Sequence, residues 1–193
     1  VGRAICLAAG LALLGALGWA AWRETRSRAL ALLAPALLAA TWDFNQWLAF
    51  ARVDIPALAL TFAGLLRFAA NPRRGGARGT AALFALALLT RQTALAAPLA
   101  CFAWLLVRRE RRAAALFALR LGLCAAIPYL ALLAVTRGEA WRHLVVYNAN
   151  PYFWDQTAVW ARHLWRFQRF ALTLLVLSGA LLSFLSLHAR WAG

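Results

Sequence analysis

Carboxylates are scarce in this chain: it has six against 21 Lys and Arg residues, every one of them Arg. One of the six breaks an otherwise apolar run at 49–60, AFARVDIPALAL. Asp54 there precedes Ile55-Pro56, and an Asp at the N-cap with Pro in the first turn is a sound way to start a helix. The same carboxylate, held at the edge of an apolar segment, is a group able to take or orient a proton. The two roles are compatible, and the residues leave both open. Arg52, two positions earlier, is placed to pair with Asp54 or to grip a phosphate through its guanidinium fork. Arg91 and Gln92, in TRQT at 90–93, stand between two apolar runs. A charge and an amide in such a place must be satisfied, either by a specific anionic headgroup or by snorkelling to bulk lipid phosphates. Asp43 lies in TWDFNQW, an aromatic mixture typical of an interfacial belt that is also able to stack on a sugar ring. His143 and His163 have no second ligand at metal spacing, and Cys6, Cys101 and Cys124 sit unpaired in apolar runs. Neither a metal site nor a disulfide set is read from them.

The elements that must position these groups follow from composition. With 64% hydrophobic residues and a mean hydropathy of +0.68, the chain is far more apolar than an ordinary soluble domain. The expected fold is all-α, a polytopic transmembrane helical bundle. A net charge of +15 would suit nucleic acid in a soluble protein, but these arginines punctuate apolar runs and are explained by membrane orientation, so no nucleic-acid partner is expected. On a ruler of about 20 helical residues per bilayer core, about seven spans are predicted, some short or broken. They lie at 4–22, 29–41 (extendable to 50), 55–70, 80–90, 93–107, 113–135 and 170–188.

Three connectors, 23–28, 71–79 and 108–112, hold ten Arg in twenty residues, whereas 42–54 and 136–169 hold six in forty-seven. The dense three are expected on the cytoplasmic side and the other two outside. Residues 80–107 are read as a hairpin of two short helices meeting at TRQT, because one long helix would put two basic connectors on opposite sides. Asp43, Asp54, Glu139 and Asp155 then fall outside, while Glu24 and Glu110 sit among inner arginines. Within 136–169 a turn is predicted at 148–151. Arg162, Arg166 and Arg169 follow at helical spacing with Trp160, Leu164 and Phe167 on another face, an amphipathic segment for the outer lipid interface. Arg120, seven residues into its span, either snorkels inward or pairs with a carboxylate. The whole of 1–193 is read as one integral-membrane domain of a multi-pass cell-membrane protein. With no Met and a Val at position 1, the chain is expected to be part of something longer.

Taken in order, ARVDIPALAL, a basic loop, ALALLTRQTALAAP and WRHLVVYNANPY resemble the bacterial GT-C membrane glycosyltransferases of the family 39 type, related to protein O-mannosyltransferases and to the aminoarabinose transferases of lipid A. The likeness runs from about residue 29 to 160. It implies an inverting enzyme of the bacterial inner membrane that moves a sugar from a polyprenyl-phosphate donor to a glycan, lipid or protein acceptor on the outer side. No certain cofactor is implied, although a divalent metal is compatible. Carried onto this sequence, the resemblance makes Asp54 the acidic residue of an outer loop. Arg91 with Gln92 matches a turn of the family near the donor, and Tyr147, Asn148 and Asn150 line the cavity; beside these, the residues themselves make Arg52 a candidate for the donor phosphate and Asp43 a candidate substrate contact. The family's principal acid, on the first outer loop, has no counterpart here. The stretch is therefore expected to begin after it and to be inactive alone. A transporter or flippase for an anionic lipid or solute is the alternative, since short discontinuous helices with Arg at their junction also mark transporters.

Overall fold

A computed structural model describes residues 1–71, 78–146, 156–163, 165, 166, 169 and 173. Among these the chain is all-helical, with no strand. It divides into two compact units, Val1–Asn148 and Ala149–Gly193. The first unit contains α1 (Gly2–Thr25), α2 (Arg28–Ala39), α3 (Trp42–Ala49), α4 (Asp54–Ala70), α5 (Arg78–Thr90), α6 (Ala96–Val107) and α7 (Arg111–Val135). It closes with the single turn α8 (Glu139–Trp141) and a π-helical turn, Arg142–Val146. In the second unit the described residues are helical over 156–163. The turn at 148–151, with Tyr147, Asn148 and Asn150, lies outside the described residues, as do Asp155 and, apart from residue 173, the span at 170–188.

Helices α1 and α7, at 24 and 25 residues, are long and apolar enough to cross a bilayer, and the pair α3 and α4, bent by 118° at its break, adds a third span if counted as one. Helices α2, α5 and α6 are apolar but only 12 or 13 residues long, about 18–20 Å at 1.5 Å per residue. That is less than a hydrocarbon core of about 30 Å. Only 6% of the most apolar window of α7 is buried within the protein. A helix this apolar with so little of it covered is solvated by lipid, and the protein is membrane-associated on that ground.

The helices reverse direction at two opposite ends. Cys6 and Gly10 of α1 lie against Arg52 and Ile55 at the start of α4, so α1 and α4 run side by side in the same direction. At the far end of α4, Arg67 meets Gly79 of α5. Helix α5 then returns, and α6 and α7 form a further down-and-up pair whose ends near Leu105 and Ala114 share a cluster with Phe68, Phe84 and Phe117. The expected hairpin at 80–107 is present: α5 and α6 are separate helices joined by a turn at 91–95. The connectors 23–28 and 108–112 accordingly share one end with the close of α4 and the start of α5, and the turn carrying Arg91 shares the other with Arg52 and Asp54.

Packing is tightest where glycine admits a neighbour. A Cβ on Gly64 of α4 would stand 2.7 Å from the ring of Phe84, and one on Gly18 of α1 would stand 2.8 Å from the Ala31 carbonyl of α2. Close approach of this kind replaces the hydrophobic drive that lipid cannot supply between helices. Phe84 is fully buried and meets Phe117 edge to face, with ring centroids 6.1 Å apart. A second cluster joins Leu13, Phe44 and Ile55 across α1, α3 and α4.

The segment 42–54, expected to be a connector, is largely helix α3. The apolar run from 29 breaks at Ala40–Thr41, where the Asn45 amide donates to the carbonyls of Ala39 and Thr41 at 2.6 and 3.0 Å. This arrangement starts a new helix in a new direction. Of its aromatic residues, Phe44 is buried in the core and Trp42 is exposed, so the helix that starts at Trp42 is amphipathic.

Candidate functional site

Helix α3 ends in a Schellman turn. The Arg52 N–H donates to the Trp47 carbonyl at 3.2 Å and the Ala51 N–H to the Leu48 carbonyl at 3.4 Å, with Ala51 left-handed at φ 54°. This turn sets the 118° elbow and delivers Arg52 to the mouth of α4. The Arg52 guanidinium lies 5.7 Å from the ring centroid of Trp47, a cation–π contact. Its carbonyl accepts from the Cys6 thiol at 3.3 Å. Backbone and side chain of Arg52 are thus both held.

Asp54 is the first residue of α4, but its side chain does not cap the helix. The helix-start role expected of it is confined to its place in the first turn, where a negative charge meets the positive end of the helix dipole. The carboxylate instead joins two arginines. Arg52 Nε donates to Oδ2 at 3.0 Å, and Arg91 Nη1 is ion-paired with Oδ1. The Asp54 side chain is 3% exposed, whereas those of Arg52 and Arg91 are 55% and 39% exposed. A buried anion between two half-wet cations leaves outward-facing N–H groups and a net charge of +1. Arg91 is held in turn by the Thr93 hydroxyl, which accepts from Nε at 2.8 Å. Its N–H closes α5 by donating to the Ala87 carbonyl at 2.8 Å.

Of the residues singled out by sequence, Arg52, Asp54 and Arg91 converge. Gln92 lies in the same turn as Arg91. With Leu88 and Leu89 it lines a groove against α7, opposite Gly122, Ala126 and Tyr129, with a volume of about 360 Å³. Asp43 is half-buried in the first turn of α3. Arg120 lies half-buried on α7 and forms no ion pair among the described residues. A larger hollow, about 510 Å³, is confined to the basic turn Arg109–Ala113 at the opposite end. Three participants escaped sequence reading. Thr93 was visible in TRQT but passed over, Trp47 looked like belt, and Tyr129 is a lone hydroxyl in an apolar helix with no local signal. No group of three or more His, Cys, Asp or Glu able to hold a metal occurs among the described residues.

Chemically, two guanidinium groups fixed by one carboxylate have the donor geometry that suits an anion with several oxygens, such as a phosphate. The carboxylate keeps the two cations in register. Set against protein-family models, curated proteins and solved structures, the chain matches none of them.

Proposed function

We propose that this chain is part of a membrane glycosyltransferase that takes a sugar from a polyprenyl-phosphate donor, with the Arg52–Asp54–Arg91 cluster as its donor-phosphate site. One observation carries the reading: a buried carboxylate joins two arginines, one from the elbow before α4 and one from the turn after α5, at the end of the helices opposite the connectors 23–28 and 108–112. In the full reading, the short helices α2, α5 and α6 and the span at 170–188 complete a seven-span bundle. The cluster then lies at its outer face, in a bacterial inner membrane.

In this arrangement both carboxylate oxygens of Asp54 are occupied, so in the resting site it presents the arginines. An arriving phosphate competes for Arg91 and releases Oδ1. The acceptor hydroxyl oxygen then attacks the anomeric carbon, the bond from that carbon to the phosphate oxygen breaks, and the lipid phosphate leaves with the electron pair. The acceptor's proton passes to a carboxylate, with Asp54 as the candidate within this chain. Fixed positive charge from Arg52 and Arg91 stabilises the leaving phosphate as its charge develops.

The test uses membranes carrying the protein in its complete natural gene context, a radiolabelled polyprenyl-phosphate sugar and a mixed pool of envelope acceptors. Wild type is expected to release polyprenyl phosphate and label an acceptor, and Arg91→Ala and Asp54→Asn are each expected to lower the rate by about 10²-fold or more, the scale of losing a charge-stabilising or proton-transfer group. Wild-type rates in both variants would refute the assignment. Movement of the intact lipid across the bilayer with no sugar released would replace it with the transporter reading.

A further inference from the structure

At the close of α1, α5 and α7 a threonine hydroxyl serves the helix itself. Thr25, Thr90 and Thr136 each donate to the carbonyl four residues back, at 2.6, 2.7 and 2.7 Å. Thr93 behaves differently. Its hydroxyl oxygen accepts from Nε of Arg91 at 2.8 Å, a side-chain bond within a turn that the Ala94 N–H closes on the Arg91 carbonyl at 3.0 Å. The two threonines of TRQT therefore have separate tasks: Thr90 bonds within α5, and Thr93 holds Arg91.

That bond gains its importance from what Asp54 does with the rest of the guanidinium. Arginine carries several N–H donors in a planar fork. In Arg91, Nε is on Thr93 and Nη1 is ion-paired with Asp54, which leaves the remaining Nη hydrogens uncommitted among the described residues. An anion entering this site takes Arg91 from Asp54 and so removes the contact that fixes its Nη end. The Arg91 side chain is 39% exposed, and a guanidinium held by Asp54 alone would then regain its large rotamer freedom in solvent. The bond to Thr93 is on Nε and survives the exchange.

We propose that Thr93 is a positioning residue for the anion site: its hydroxyl oxygen pins Nε of Arg91 while the Nη end passes from Asp54 to a phosphate. The proposal rests on the donor-phosphate reading and adds how Arg91 stays in register through the exchange. Arg52 has a separate hold, since its guanidinium lies 5.7 Å from the Trp47 ring centroid. Losing one hydrogen bond to a charged group corresponds to about tenfold in affinity.

The experiment expresses the protein from its complete natural gene, places it in phosphatidylcholine nanodiscs and titrates it with a water-soluble, short-chain prenyl monophosphate. Thr93→Val and Thr93→Ala both remove the acceptor, the first at nearly constant shape, and each is expected to lower affinity about tenfold with the melting temperature unchanged. Thr93→Ser restores the oxygen and is expected to bind within about twofold of wild type. Thr90→Val, which loses only the bond to Leu86, should bind as wild type. A further readout separates positioning of Arg91 from a general effect on the turn. Arg91→Lys keeps the charge but puts a methylene where Nε–H stood, so adding Thr93→Val to it should cost no more affinity. Wild-type affinity in both Thr93→Val and Thr93→Ala, or a further loss of about tenfold in the Arg91→Lys background, overturns the role of Thr93; weakened binding in Arg91→Ala would still keep the phosphate site. Failure of wild type to bind, or equal binding by Arg91→Ala, overturns the donor-phosphate reading and the Thr93 role with it.

Discussion

Removing Arg91 should damage the fold more than removing the charge it binds. The Asp54 side chain is 3% exposed and its two partners 55% and 39%, so the cost of dehydration falls almost entirely on the carboxylate. In Arg91→Ala that carboxylate stays buried and negative with Arg52 alone. Breaking a fully buried pair costs about 3–5 kcal/mol. With Oδ2 still bonded to Arg52, roughly half of that, about 2 kcal/mol, is expected here. In Asp54→Asn the shape persists, the charge to be dehydrated is gone and both arginines rehydrate, so a loss of about 1 kcal/mol or less is expected, close to that of an exposed pair. Once Asp54 is Asn, Arg91→Ala should cost little more, because no buried charge is abandoned. The double-mutant cycle therefore predicts a coupling of about 1.5 kcal/mol. Unfolding by SDS in mixed micelles, followed by the fluorescence of the ten tryptophans, measures all four species. If Arg91→Ala costs the same in both backgrounds to within about 0.5 kcal/mol, the two side chains are not coupled and the cluster is not a unit.

Four further outcomes test the frame around the site. Gly64→Ala drives a methyl to within 2.7 Å of the Phe84 ring and should destabilise by about 1–3 kcal/mol in the same titration. Gly122→Ala, with open space around it, should be neutral or stabilise by up to about 1 kcal/mol. Ala51→Gly relieves a left-handed alanine at the elbow and should stabilise by about 1 kcal/mol; destabilisation would mean that the turn is not formed. Thr93→Cys and Arg109→Cys in sealed vesicles should react with a membrane-impermeant maleimide from opposite sides, over a background kept low by the burial of native Cys6 and Cys101. Labelling of both from one side would refute the two-ended arrangement of the helices.

The sequence by itself determined that this chain is helical and lipid-facing, where most helices begin and end, and that TRQT is a turn between two short helices. Those features depend on local composition, on polar residues that stop apolar runs and on charge that resists burial. It also put Arg52 within reach of Asp54, because two residues of backbone join them. Only the tertiary structure decided that Arg91 completes the pair, that Asp54 binds arginines in place of capping its helix, that 42–49 is an amphipathic helix, and that Tyr129 faces a groove. Helices apolar on every side carry no periodicity to say which face meets a neighbour. The choice falls to the fit of side chains such as Phe84 over Gly64, and that fit sets the approach of α4 and α5 and so brings the start of one to the end of the other.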